Sequence, residues 1–223
     1  MKIGFIGAGA MAQTLAYHAL RSGHQVMLSN SRGPESLAAV ATRFGCQVGT
    51  SQQAAEFGDV VVIAVPLYAY NRLPKEQLEG KVVLDLLNYF PHRDGYITEL
   101  NSSDTTTSEL LASYLTGSKV VKAFNSITVQ DLQRDARPQG AADRRAIPIA
   151  SNDAQAKELV AKLIDDFGFD VADGGKLSES WRFERFRPAY CVAAPKDKLE
   201  RILASTTQDT VVADGHWLHT RYV

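Results

Sequence analysis

Cysteine is scarce in this chain: there are two among 223 residues, Cys46 and Cys191, and no C-x-x-C spacing. Two thiols so far apart argue against a disulfide framework and read as reduced core residues. Long apolar runs are missing as well. The longest, Val60-Val-Val-Ile-Ala-Val65, is far too short to span a bilayer, so no membrane partner is expected. Neither sign of charge is in excess: 24 Lys and Arg stand against 25 Asp and Glu, for a formal net charge of -1. That balance gives no electrostatic reason to expect nucleic acid as a partner. Histidines number five and form no catalytic dyad. His92, beside Pro91, reads as a solvated loop residue, while His216 and His219 lack a third ligand nearby, so no metal site is expected. With 45% hydrophobic and 22% charged residues the chain can build a sizeable core. A cytoplasmic enzyme is the expectation.

The most informative stretch is the first, Met1-Lys-Ile-Gly-Phe-Ile-Gly-Ala-Gly-Ala-Met-Ala12, an apolar strand running into Gly7, Gly9 and Ala12 at G-x-G-x-x-G/A spacing. Gly7 permits the tight strand-to-helix turn, Gly9 lets the backbone approach a pyrophosphate, and Ala12 keeps the helix close to the sheet. The helix N-terminus then presents free N–H groups to the anion. A secretory leader would share Lys2, the apolar run and the small residues, but Gln13, His18 and Arg21 continue a helical pattern instead.

After the second expected strand, Gln25-Val-Met-Leu28, an NAD site would place an acidic residue for the ribose hydroxyl. Here the chain reads Ser29-Asn30-Ser31-Arg32-Gly33. No carboxylate opposes a 2′-phosphate, Arg32 can pair with one, and Asn30 and Ser31 can donate hydrogen bonds. NADP(H) is therefore the expected cofactor.

Strand and helix patterns alternate along the chain as an α/β fold requires. Helix is expected over 35–44, strand over 46–49, and a buried strand over 59–65, apolar on both faces. A helix broken by Pro74, a strand over 81–85, a Ser/Thr-rich loop over 101–108, a helix over 109–115 and a strand over 119–124 complete six candidate parallel strands. A polar excursion over 134–143 marks the expected domain boundary. Strands over 146–150 and 169–172 and helices over 154–167 and 196–204 follow. The expectation is a Rossmann-type, doubly wound, mainly parallel sheet with a smaller C-terminal α/β portion. It divides into an NADP-binding domain, 1–133, and a C-terminal domain, 134–223, that completes an acceptor site.

Open parallel sheets bind ligands beyond the carboxyl ends of their strands. Those ends read Val65-Pro66, Asn88-Tyr-Phe-Pro91 and Phe124-Asn125-Ser126. Asn88 and Asn125 serve either as strand-ending turn residues or as amide contacts to a nicotinamide or substrate. Trp181-Arg-Phe-Glu-Arg-Phe-Arg-Pro188 interleaves three aromatics with three arginines. It is either an irregular core element or a surface on which a planar acceptor stacks while arginines hold an acidic tail.

The opening GFIGAGAMA, Ser29-Asn-Ser-Arg32, Asn88-Tyr-Phe-Pro91 and Val121-Lys-Ala-Phe-Asn125 resemble the deazaflavin-dependent NADP oxidoreductases, and in the same places the dinucleotide-binding domain of STEAP-type ferric reductases. The resemblance implies hydride transfer between NADPH and an 8-hydroxy-5-deazaflavin or flavin-like small-molecule acceptor. It implies pyrophosphate contacts from Gly7, Ala8, Gly9, Ala10 and Met11, and 2′-phosphate contacts from Ser31 and Arg32. Val65, Pro66, Asn88 and Asn125 would face the nicotinamide. Since the reacting atoms must nearly touch, the acceptor would lie among Tyr89, Pro91, Ser126, Trp181 and Arg185. Cofactors carry such chemistry, so no side chain is expected to be catalytic. Two alternatives stand beside this reading: an imine reductase resembling pyrroline-5-carboxylate reductase, and a non-catalytic NADP-sensing module. A homodimer stays open.

Overall fold

The computed structural model describes residues 1–219; positions 220–223, the end of the expected C-terminal domain, lie outside them. Its strands are β1 (Lys2–Ile6), β2 (Gln25–Ser29), β3 (Gln47–Gly49), β4 (Val60–Ile63), β5 (Val82–Asp85), β6 (Lys119–Lys122), β7 (Ala146–Ser151) and β8 (Asp170–Asp173). They form one sheet in the order β3-β2-β1-β4-β5-β6-β7-β8. The first six are parallel, in the 3-2-1-4-5-6 order of a doubly wound fold. β7 then runs antiparallel to β6, and β8 parallel to β7.

The helices are α1 (Ala10–Arg21), α2 (Ala38–Phe44), α3 (Ser51–Phe57), α4 (Lys75–Leu78) and α5 (Pro91–Asp94), followed by α6 (Thr98–Asn101), α7 (Thr107–Tyr114), α8 (Val129–Arg134), α9 (Ala154–Asp166) and α10 (Lys196–Ser205). Leu15 of α1 and Val160 of α9 pack with Val60 and Val62 on one face of the sheet. Ala55 of α3 and Leu111 of α7 pack with Val61 and Ile63 on the other. β4 is thus buried on both faces, which explains why its sequence shows no polar alternation.

Some boundaries depart from the sequence pattern for local reasons. The helix expected over 35–44 opens as a 3-10 turn, Pro34–Leu37, with proline in its first positions. The helix expected from residue 109 begins two residues earlier, because Thr106 caps it in a reciprocal box with Glu109. β6 ends at Lys122, short of the expected 124: Phe124 takes a left-handed φ of 58° while its ring is fully buried near Phe167 and Phe169. Such a backbone stores on the order of 1–3 kcal/mol and persists where the surrounding packing holds it.

The polar excursion over 134–143 leads from α8 to β7 and is pinned at both ends. Arg137 N–H donates to the Gly168 carbonyl, Arg144 pairs with Asp165 and Asp170, and buried Arg145 pairs with Asp131 and Asp135. Among the described residues no helix is long and apolar enough to cross a membrane.

Candidate active site

At the carboxyl edge of β1, β2 and β4 lies a cleft of about 450 Å³ lined by Gly7, Ala8, Gly9, Ser31, Arg32 and Val65, with Asn30 and Pro66 also on its wall. Gly7 has a φ of 108°, and a Cβ there would fall 2.2 Å from the Ala64 carbonyl oxygen, so the turn admits only glycine. At Gly9, by contrast, a Cβ would meet nothing within 4 Å. The space above Gly9 is open.

The N-terminus of α1 opens at the same place. α3, α7, α8 and α9 each begin on a Thr or Asp whose side chain accepts a hydrogen bond from the first turn. α1 has Gly9 at its N-cap, no side-chain cap and no acidic residue in its first turn. Its leading N–H groups are left for an external anion. Ala10 and Met11 sit in that turn, and Ala10 also borders an outer groove with Tyr17 and Arg43.

Asn30 shapes the loop after β2. Its Oδ1 accepts from Arg32 N–H at 2.9 Å, and its Nδ2 donates to Ser36 Oγ at 2.9 Å. The amide is therefore committed to the turn, while Ser31 and Arg32 stay exposed at the cleft. Among the described residues no carboxylate pairs with Arg32. Arg72, at the end of the 3-10 segment Leu67–Arg72, lines the same cleft and is likewise without an ion pair among them. Sequence reasoning missed Arg72. Its only signal was a basic residue a short turn beyond Pro66.

Asn88 and Asn125, at the ends of β5 and β6, meet each other. Asn88 Nδ2 donates to the Asn125 carbonyl at 2.8 Å, and Asn125 Nδ2 reaches Asn88 Oδ1 at 3.3 Å and the Phe183 carbonyl at 3.0 Å. Both Asn125 and Ser126 are buried, and Asn125 Oδ1 and Ser126 Oγ have no hydrogen-bond partner among the described residues. The pair ties the strand ends to the 177–183 segment.

A second cavity, about 360 Å³, opens beside that knot, lined by Tyr89, Pro91, Trp181, Arg185, Phe186 and Arg187, with Glu109 and Glu184 among its acidic walls. The α5 turn stands between the two cavities. Asp94 accepts from Tyr68 N–H, on the cofactor side, and from Phe90 N–H, whose ring stacks under Arg185 at 4.7 Å on the other. Burial pushes the Asp94 carboxyl up, but hydrogen bonds from Arg93, Phe90 and Tyr68 outweigh it and hold the group below the usual carboxylate range.

The 181–188 segment divides its aromatics. Phe183 points into the core, while Trp181 and Phe186 face the cavity. Its arginines are all engaged: Arg182 pairs with Glu179, Arg185 with Asp214 at 2.5 Å, and Arg187 donates to the Gln208 and Thr210 carbonyls.

Below the cavity lies a buried ion network that sequence reasoning did not single out. Lys122, fully buried on β6, donates to the Leu87 carbonyl and Thr107 Oγ1 and sits 3.8 Å from Asp85 and 3.4 Å from Glu184. Asp85 also accepts from Ser108 Oγ and Leu87 N–H. A lysine inside an apolar strand pattern was the available signal. Among the described residues no group of three His, Cys, Asp or Glu could hold a metal ion.

Residues 2–89 match the model of a family described as NADP oxidoreductase, coenzyme F420-dependent. A hypothetical protein, SMa0349, from Sinorhizobium meliloti shares 30% identity and a TM-score of 0.76 over 88% of this chain and 96% of that one. The chain belongs to the F420-dependent NADP oxidoreductase family. A candidate F420-dependent NADP reductase from Arthrobacter sp. FB24 matches 82% of this chain and 87% of its own, at 26% identity and a TM-score of 0.69. The rat metalloreductase STEAP3 is 30% identical over 185 residues, which is 82% of this chain and 36% of that protein. The chain therefore spans about a third of the length of the metalloreductases it matches. The open α1 terminus, and Arg32 and Arg72 without an ion pair among the described residues, fit the NADP cofactor of that family.

Proposed function

We propose that the protein passes a hydride from NADPH to a planar acceptor of the flavin or deazaflavin kind, bound in the cavity beside Trp181. The observation that carries this reading is the shared wall: the Pro91–Asp94 turn borders the aromatic cavity and hydrogen-bonds to the rim of the cofactor cleft. NADPH supplies two electrons and one hydrogen from its nicotinamide C4 and becomes NADP⁺; a neutral acceptor takes its second proton from solvent. The protein's part is placement. The loop over Gly7 to Gly9 holds the pyrophosphate, Arg32 and Arg72 hold the adenosine phosphate, and Val65 and Pro66 set the direction in which the nicotinamide leaves the cleft. Trp181 and Tyr89 then receive the acceptor ring, with the C-terminal domain, 134–223, completing its pocket.

The test is NADPH oxidation against a panel of flavins and a deazaflavin, with Trp181→Ala alongside. Loss of a stacking face raises the acceptor KM by about tenfold and leaves NADPH binding unchanged. Wild-type kinetics in that variant would place the acceptor elsewhere.

A further inference from the structure

A cavity built for a phosphate- or carboxylate-bearing ligand offers it free cations or an open helix N-terminus. The cofactor cleft has both. The cavity beside Trp181 has neither. Its two guanidiniums are spent within the protein, Arg185 on Asp214 and the Phe90 and Phe186 rings, and Arg187 on two carbonyls and the Trp181 ring. The N-terminus of α7, which opens onto it, is closed by the Thr106 and Glu109 capping box. Three carboxylates, Asp104, Glu109 and Glu184, line the walls against those two arginines. Two further cations lie close by: Arg182, over the Trp181 ring, pairs with Glu179, and Lys122 is fully buried between Asp85 and Glu184.

We infer that this cavity selects planar acceptors that carry no anionic group, discriminating between acceptors with the same ring by the charge of what is attached to it. The inference rests on the acceptor assignment above. An anionic tail brought in here meets the Asp104 and Glu109 carboxylates, which have no ion pair among the described residues, in a partly desolvated space, whereas an uncharged or cationic ring packs against the Trp181 and Phe186 side chains without that repulsion.

Three tricyclic probes separate the cases: riboflavin, uncharged; flavin mononucleotide, the same ring with a phosphate; and methylene blue, a cation. Fluorescence titration at low ionic strength is expected to show riboflavin and methylene blue binding at least about tenfold more tightly than flavin mononucleotide. Asp104→Asn combined with Glu109→Gln, a pair that keeps the capping hydrogen bonds, narrows that gap. Flavin mononucleotide binding as tightly as riboflavin overturns the inference. So does a gap unchanged in the folded double variant, or failure of all three probes to bind. NADPH oxidation is read separately with the same probes. Binding in the expected order without turnover refutes the reductase assignment and leaves the charge selection standing.

Discussion

In the function proposed here Arg32 and the two glycines of the opening loop hold the cofactor's phosphates, and each makes a distinct prediction. Arg32 is exposed at the cleft with no ion pair among the described residues, while Asn30 is occupied in shaping the turn. Losing a charge-assisted contact costs on the order of 1.5–3 kcal/mol, roughly 10- to 150-fold in affinity. Arg32→Ala is therefore expected to weaken NADPH by that factor and leave NADH nearly unchanged in a titration. Equal loss for both would assign the residue to the fold. Gly7 and Gly9 separate in the same way. Gly7→Ala forces a Cβ onto the Ala64 carbonyl and lowers the melting temperature, whereas Gly9→Val fills open space, melts near wild type and no longer binds NADPH. A folded Gly9→Val variant with normal affinity would remove the phosphates from this loop.

Between elements, the decisive joint is that of β5 with β6. Asp85 and Lys122 are register partners, and their side chains run beneath the strand ends to Thr107, Ser108 and Glu184. The network fixes α7 and the 181–188 segment against the sheet edge. Removing one partner of a buried pair strands the other charge, at about 3–5 kcal/mol. Lys122→Met should then lower the melting temperature by about 6–20 °C at the ~2–4 °C per kcal/mol usual for a chain of this size. Asp85→Asn added to it should restore part of that loss, because the two changes are coupled. An unshifted melt in Lys122→Met would show that the network bears no structural load.

At the scale of the molecule, one apolar layer runs from α1 to α9 and joins the residues before the 134–143 excursion to those after it. His18 sits in that layer, its Nε2 2.9 Å from the Leu132 carbonyl and its ring near Phe167 and Phe169. Burial pushes the His18 imidazole below its ordinary value of 6.5, and burial with the nearby N-terminus does the same to His24. A base with a lowered folded pKa is held neutral, so its stabilisation is complete above the unfolded value and is lost as pH falls below it. Thermal melts should accordingly decline from about pH 7 to about pH 5, and His18→Gln, which keeps a donor for Leu132, should flatten that decline. A profile identical to wild type would exclude His18 as its source.

Local rules decided much of this protein before any folding. The spacing of Gly7 and Gly9 answers to steric limits within a few residues, and the doubly buried run of β4 answers to the need to cover both faces of a parallel sheet, so both were legible in the chain. The missing carboxylate after β2 was legible for the same reason, since the ribose contact comes from one short loop. What the chain could not show was anything depending on which distant elements meet. Phe183 turns inward while Trp181 and Phe186 turn to a cavity, because β7 and the 177–183 segment pack where they do. The Asn88 and Asn125 amides find each other across two strand ends, and Asp85, Lys122 and Glu184 converge from positions far apart in sequence. Tertiary packing alone decides whether a charge is free or answered: Arg32 and Arg185 look alike in the sequence, yet only Arg185 has an aspartate, Asp214, brought to it by the fold.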